Sequence, residues 1–193
     1  MGGFDLAGDE KVCTAAEMHN YFLPLMKECM HFTIHAGEDN PVESIWEAVY
    51  MLNAQRIGHG LTLPDNPALM KKIFDSNIAI EMCPSSNFQI AGFRDNYFDS
   101  TGNQKIYPLK QYLEKGLCVT VNTDNPGISD TNFTKELHKA CRLTPGGLSL
   151  WEILSIIRNG FKASFAQRSI KYELLKKAEN KIVQLLNEVL CNF

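Results

Sequence analysis

The sequence predicts an α/β fold with about five parallel strands, and two patterns support this prediction. Short runs rich in β-branched residues each end abruptly in polar or turn-forming groups, and segments with helical spacing lie between them. Strands that alternate with helices predict a parallel sheet joined by right-handed crossovers. Polar groups at the carboxyl ends of such strands are typical of a β/α barrel with its site on that face. We therefore predict a partial TIM-like (β/α) barrel with extra C-terminal helices.

The first predicted elements are two strands, each followed by a helix. Residues 4–8 resemble the end of a strand, and residues 14–30 have apolar side chains at helical spacing. Residues 31–36 form the second strand. Asn40 is expected to cap the next helix, since Glu43 falls where a capping-box acid would stand.

The remaining elements continue the same alternation and end in helices. Strands are expected over residues 55–58, 78–82 and 118–122. Helices are expected over residues 66–76, 106–115, 132–142, 150–159 and 169–190. A long loop is expected from residue 84 to about residue 104.

Five strands are too few for a closed barrel, which has eight strands and typically about 250 residues. The chain has 193 residues. An open sheet would leave an unpaired edge and an inner face that we expect to be apolar. We therefore expect a single domain over residues 1–193 that forms the C-terminal portion of a (β/α)8 barrel. Its partner would be a missing N-terminal barrel half or a second copy, and the alternative is a complete small α/β protein.

Composition argues against several kinds of partner. The net charge is only −3 and no basic block is present, which argues against nucleic acid or an anionic membrane surface. No apolar run reaches membrane-spanning length, and the N-terminus lacks the pattern of a signal peptide. We expect a cytoplasmic protein. The six cysteines lack the spacing of a zinc knuckle or redox motif, so we expect them to be reduced and mostly buried.

Candidate functional residues stand at the ends of the predicted strands. His35 ends the second strand, where a neutral imidazole suits zinc, and Glu38 three residues later could donate a proton. His59 lies between two glycines, which let the chain turn and a ligand approach closely. Asp124 follows the last strand, where an aspartate could equally cap a helix. Taken singly, His35 could be an interior hydrogen-bonding group and Glu38 a solvated side chain.

Taken together, these residues resemble the adenosine deaminase family of the amidohydrolase superfamily. The motifs that carry the resemblance are Phe4-Asp5-Leu6-Ala7-Gly8-Asp9-Glu10, His35-Ala36-Gly37-Glu38, Arg56-Ile57-Gly58-His59-Gly60, Cys83-Pro84-Ser85-Ser86 and Asn122-Thr123-Asp124-Asn125-Pro126. Their order and spacing match over essentially the whole chain. Adenine and AMP deaminases share several of them, so the resemblance leaves the purine open.

The resemblance implies a zinc hydrolase that deaminates adenosine to inosine and ammonia. Residues 1–193 would then be part of a metal-dependent hydrolase barrel in which zinc activates a water molecule. By motif position, His35 and Asp124 would be zinc ligands. His59 would act as base and electrostatic partner for the water, and Glu38 would protonate N1 of the purine.

The resemblance also implies two contacts with a purine nucleoside substrate. Gly8 would hold the purine edge with its backbone, which needs a residue without side-chain bulk. Asn125 would contact N7, where many family members carry aspartate. Because N7 is only an acceptor, an amide can always donate to it. Adenine, AMP or a modified adenosine are the alternative substrates.

One part of the family's pattern is missing. The family's other two zinc ligands form a His-x-His pair, and none of the five histidines here are two residues apart. His31 and His35 share a strand face but lie about 13 Å apart at ~3.3 Å per residue, too far to chelate one ion. We therefore expect the isolated chain to bind zinc weakly and to have little or no activity. The alternative is a non-catalytic remnant that keeps the fold without the metal.

Overall fold

A five-stranded parallel sheet lies at the centre of the computed structural model, which describes residues 2–97 and 105–190, apart from the side chains of residues 189 and 190. The strands are β1 (Phe4–Leu6), β2 (Phe32–Ala36), β3 (Arg56–His59), β4 (Ala79–Met82) and β5 (Cys118–Val121). Each pairs in parallel with the next, in chain order. The predicted α/β fold with five parallel strands is confirmed.

Helices connect the strands and follow the last one. They are α1 (Ala15–Lys27), α2 (Glu43–Tyr50), α3 (Pro67–Asp75), α4 (Pro84–Ala91), α5 (Leu109–Glu114), α6 (Pro126–Ser129), α7 (Phe133–Leu143), α8 (Leu150–Ala163) and α9 (Arg168–Leu190). A short 3-10 turn spans Leu63–Asp65. The described chain after β5 is mainly helical, as predicted.

The expected loop over residues 84–104 is partly wrong, because it begins with α4. Pro84 occupies the first turn of this helix, where its missing N–H leaves no hydrogen bond unmade. Gly92 ends the helix in the left-handed conformation, with φ of 64°. Residues 98–104 of the expected loop lie outside the described residues.

The expected cap at Asn40 is also wrong. The helix begins at Glu43, and the residue before it makes no side-chain cap. The Asn40 amide instead donates from Nδ2 to the carbonyl oxygen of Glu10 at 2.8 Å. This bond ties the turn after β2 to the loop after β1, so a contact between loops replaces the predicted local one.

The two faces of the sheet differ in polarity. One face carries fully buried aliphatic side chains in register: Ile34, Ile57, Ile80 and Val119. The opposite face carries polar side chains: Thr33, Arg56, Glu81 and Thr120. Side chains alternate between faces along a strand, so the aliphatic row packs into the core with the helices. The expectation of an apolar inner face is therefore wrong, since that face carries charged and hydroxyl groups.

The inner face has its own polar contacts and a partial cover. Arg56 Nε lies 3.1 Å from Glu81 Oε1, and the Thr33 hydroxyl donates to the other oxygen of Glu81. Phe165, just after α8, lies over the Arg56 guanidinium at 3.8 Å. At the edge of the sheet, Asn159 Nδ2 of α8 donates to the carbonyl oxygen of Val119 at 3.0 Å. Part of the open side is thus covered by this chain itself.

The cysteines are less buried than expected. Of the five that the structure describes, all are free thiols and only Cys83 is buried. The others are exposed or half-buried: Cys13, Cys29, Cys118 and Cys141. Cys13 and Cys29 lie just outside the two ends of α1, where side chains reach solvent. Cys191 lies outside the described residues.

Helix α9 packs against α8. Leu175 and Ala178 are half-buried against α8, but Ile170 and Leu174 are exposed. Within the described residues, none of the helices combines the length and the apolar character needed to cross a membrane.

Tyr112 anchors the turn that follows β3, which makes it a sharp test of this fold. Its buried hydroxyl donates to the carbonyl oxygen of Gly60 at 2.5 Å. In Tyr112→Phe that carbonyl keeps the longer bond from Leu63 N, at 3.3 Å. We expect the free energy of unfolding in urea to fall by about 1 kcal/mol. Tyr172→Phe, exposed on α9, is the control and should change it by less than about 0.5 kcal/mol; equal losses would contradict the anchoring role.

Candidate active site

The structure brings the candidate side chains together at the carboxyl ends of the strands. His59 Nε2 lies 3.1 Å from His35 Nδ1, and His59 Nδ1 lies 3.2 Å from Glu38 Oε1. Ligand atoms of His59, Cys83 and Asp124 all lie within 4.8 Å of one another. Four segments that are distant in sequence thus contribute to one cluster at one edge of the sheet.

Backbone geometry places the two histidines against each other. His59 has φ of 66°, in the left-handed region, which costs a non-glycine residue about 1–2 kcal/mol. Gly58 leaves space for the neighbouring ring, since a Cβ there would fall 2.6 Å from Cδ2 of His35. The strained turn and the missing Cβ together allow the two imidazoles to meet edge to face, with centroids 4.5 Å apart.

Glu10 holds the turn that carries Glu38. Its carboxylate accepts from the backbone N–H of Gly37 at 3.0 Å and of Glu38 at 3.1 Å. Burial raises the pKa of Glu10, and these two hydrogen bonds oppose that rise. Glu10 ends the first motif of the sequence, where no role was expected for it. Glu10 and Glu38 are 28 residues apart in the sequence, so their contact could not be inferred from local spacing.

Asn87, which was not among the predicted site residues, contacts both candidate catalytic side chains. Its Nδ2 lies 3.1 Å from Glu38 Oε1 and 2.9 Å from His59 Nδ1. Its Oδ1 accepts from the backbone N–H of Cys83 at 3.1 Å and from the hydroxyl of Tyr107 at 2.9 Å. The residue lies in α4, which was expected to be a loop. The signal that could have found it is its position directly after the Cys83-Pro84-Ser85-Ser86 motif.

Burial shifts the pKa values of Glu38 and His59 in opposite directions. It raises the pKa of Glu38 to about 7, although the hydrogen bond from Asn87 opposes the rise. Burial, with the neighbouring His35, lowers the pKa of His59 to about 4. Near neutral pH the site therefore contains a neutral imidazole beside a carboxyl group that is still partly protonated.

The donor atoms of the cluster suit a zinc ion. Imidazole nitrogen, cysteine sulfur and carboxylate oxygen are its usual ligands, and three protein donors leave a position open for water. His35 and Asp124 were the predicted zinc ligands. Within the described residues, the side chains that group with Asp124 are His59 and Cys83. His35 adjoins this group through His59. Burial raises the pKa of the Cys83 thiol well above its usual range.

The two predicted substrate-binding residues, Gly8 and Asn125, lie in different parts of the structure. Gly8 and His35 line a cavity of about 520 Å³ beyond β1 and β2. A Cβ on Gly8 would meet nothing within 4 Å, but its φ of 120° favours glycine. Asn125 is exposed and precedes α6 without a side-chain cap. Asp124 therefore does not cap α6, and Asn125 does not line the cavity that contains Gly8.

Comparison with known proteins identifies the family. A family model described as adenosine deaminase matches residues 1–181. The chain belongs to the adenosine deaminase family. The adenosine deaminase of Photorhabdus laumondii subsp. laumondii is 36% identical over 178 residues, and that of Clostridium botulinum strain Hall is 37% identical over 161 residues. These matches cover 92% and 83% of this chain but 50% and 45% of the relatives. The chain thus spans about half the length of its deaminase relatives.

Solved structures of deaminases and related amidohydrolases share the fold. An adenine deaminase from Arthrobacter aurescens has a TM-score of 0.80 at 22% identity, over 94% of this chain and 53% of that one. An amidohydrolase from Burkholderia ambifaria with bound Zn has a TM-score of 0.83 at 17% identity, over 97% and 50%. An N6-methyl-AMP deaminase from Arabidopsis thaliana has a TM-score of 0.75 at 22% identity, over 93% and 50%. These matches confirm the predicted partial TIM-like barrel.

The space that Gly58 leaves for His35 can be tested by one added methyl group. In Gly58→Ala, the new Cβ is expected to displace the His35 ring and break its hydrogen bond with His59. Imidazole ¹⁵N shifts of both histidines, measured by NMR on the purified chain, should then change. Gly160→Ala in α8, where a Cβ meets nothing within 4 Å, is the matched control. It should leave those shifts alone and stabilise the chain by roughly 0.5–1 kcal/mol. Unchanged imidazole shifts in Gly58→Ala would contradict the close packing.

The raised pKa of Glu38 predicts a pH dependence of stability. The unfolded carboxyl titrates near 4.5 and the folded one near 7, so the folded state binds the proton more tightly. Stability should therefore fall as pH rises from about 4.5 to about 7. Glu38→Gln removes this loss, worth about 1–2 kcal/mol after allowance for solvent screening. Its Tm should exceed the wild-type value by about 2–8 °C at pH 8, and the two should agree near pH 4.

The control for this experiment is Glu173→Gln, an exposed position on α9. Its Tm should follow the wild-type value across the same pH range. A Glu38→Gln advantage that grew toward acid pH would show that the pKa is lowered rather than raised.

Proposed function

We propose that this chain serves in the hydrolytic deamination of adenosine, in which water replaces the C6 amino group to give inosine and ammonia. The proposal rests on one observation: the side chains of Glu38, His59 and His35 contact one another in that order, and Asp124 lies close to His59. It lies at the carboxyl ends of parallel strands, where active sites of this architecture are found. Membership of the adenosine deaminase family supports the same reaction.

Zinc is the cofactor that the donor set would accept. His35 and Asp124 would hold the ion, and His59 and Cys83 adjoin them. When bound, zinc supplies Lewis-acid activation of water near neutral pH. The related amidohydrolase from Burkholderia ambifaria has bound Zn, which supports this choice of metal.

The remaining chemistry falls to the side chains around that position. Glu38, with a pKa of about 7, can hold a proton for N1 of the purine as C6 is attacked. His59 is neutral at that pH, so it can act as a base or as an electrostatic partner toward water. Gly8 would hold the purine edge through its backbone, beside His35 in the same cavity. Asn125 would donate to N7.

A deaminase of another purine is the second candidate. The printed names of two structural neighbours favour it, since one is an adenine deaminase and the other an N6-methyl-AMP deaminase. The relatives with higher sequence identity are adenosine deaminases. Assaying adenosine, adenine, AMP and N6-methyl-AMP side by side distinguishes the two candidates.

The direct test follows the absorbance change as adenosine becomes inosine. Purified chain with zinc should give little or no turnover, because the sequence contains no His-x-His pair. The chain combined with a barrel half that carries such a pair should turn over adenosine. In that preparation Glu38→Gln should keep zinc and lose activity by ~100-fold or more.

Three outcomes would contradict parts of this proposal. Robust turnover by the chain alone would refute its inactivity. A combined preparation with stoichiometric zinc and no turnover of any purine would refute the reaction and favour a non-catalytic remnant. Full activity of Glu38→Gln would refute the assigned proton donor.

A further inference from the structure

Asn87 is a fully buried amide in which both polar ends are engaged. It is 0% exposed and lies in the first half of α4, against the turn after β2 and the end of β3. Four groups surround it: Glu38, His59, Cys83 and Tyr107. A buried amide is this fully satisfied only when its orientation matches every neighbour, so the arrangement constrains the neighbours as well.

The orientation of the Asn87 amide follows from a partner that can only donate. The backbone N–H of Cys83 lies 3.1 Å from Oδ1, and a backbone N–H has no acceptor capacity. Rotating the amide by 180° would direct its NH₂ group at that N–H and leave both donors without an acceptor. The Tyr107 hydroxyl, 2.9 Å from the same Oδ1, supports the same orientation. The NH₂ group therefore faces Glu38 and His59.

The fixed NH₂ group determines which nitrogen of His59 carries the proton. Nδ2 of Asn87 lies 3.1 Å from Glu38 Oε1 and 2.9 Å from His59 Nδ1, so its two N–H groups serve both side chains. His59 Nδ1 is then the acceptor, because a proton on it would face the Asn87 N–H at 2.9 Å, and its other neighbour, Glu38 Oε1 at 3.2 Å, already accepts from Asn87. A neutral imidazole with Nδ1 unprotonated carries its proton on Nε2. That N–H lies 3.1 Å from Nδ1 of His35.

We propose that Asn87 is a positioning residue that holds His59 in the tautomer protonated on Nε2 and orients the carboxyl group of Glu38. The tautomer follows from the hydrogen bonds alone, whereas its role in deamination rests on the proposed function. In that reaction His35 would hold the ion and would not accept this N–H, so Nε2 of His59 presents its donor to the water. His59 thus acts as the electrostatic partner of the water, and proton acceptance at Nε2 is excluded while Asn87 holds Nδ1.

The test is ¹⁵N NMR of the imidazole rings in the purified chain, which needs neither metal nor turnover. At pH 7 the wild-type spectrum should show His59 protonated on Nε2 and unprotonated on Nδ1. In Asn87→Asp a carboxylate oxygen replaces the NH₂ group and accepts instead of donating. The proton of His59 should then move to Nδ1.

Two further variants separate positioning from a merely structural role. Tyr107→Phe removes one donor to Oδ1 but keeps the Cys83 N–H, so the His59 tautomer should stay unchanged even where stability falls. Asn180→Asp makes the same chemical change at an exposed position of α9 and should leave the spectrum of His59 unchanged.

Each outcome bears on the proposal. His59 protonated on Nδ1 in the wild-type chain would overturn it, even if Asn87→Asp fails to fold. A folded Asn87→Asp with the proton still on Nε2 would also overturn it. The Nε2 tautomer in a chain that supports no deamination even when combined with a barrel half carrying a His-x-His pair would leave the hydrogen-bond assignment standing and refute the proposed function alone.

Discussion

Parallel pairing in register is the constraint on which the whole site depends. Because β2 to β5 run in one direction and pair in sequence order, the segments that follow them emerge at one edge of the sheet. His35, His59, Cys83 and Asp124 come from four such segments. No local interaction in the chain would bring them together. Their cluster is a product of strand direction, and the aliphatic row on the other face holds that direction by packing into the core.

The ends of the strands could be predicted from the sequence because the type of residue changes abruptly there. Apolar β-branched runs stop at His35 and His59, and the residues that follow are polar or glycine. This abrupt change predicted the strands and three members of the cluster, Asp124 included. The helix that carries Asn87 was missed, because its short stretch lacks a clear apolar stripe and Pro84 resembles a turn.

Contacts between distant loops were beyond sequence reasoning for a different reason. Glu10 and Asn87 each bridge segments that are 27 or more residues apart, and nothing in their local surroundings marks those partners. The inner face was misjudged because strand alternation was not followed through all five strands. Thr33, Arg56 and Glu81 alternate with the buried aliphatic residues, and together they form a polar network on the open side.

The hydrogen bond from Asn159 to Val119 has a consequence for how another strand could join this sheet. The last strand of an open sheet ordinarily offers free carbonyl groups to any extended segment nearby. Here one of those carbonyl groups is already engaged by the helix that packs beside it. An incoming strand would have to displace this amide before it could pair there, so docking at this edge is an exchange of partners rather than a simple addition. The helix therefore occupies a pairing position on β5 that an extended segment would otherwise use.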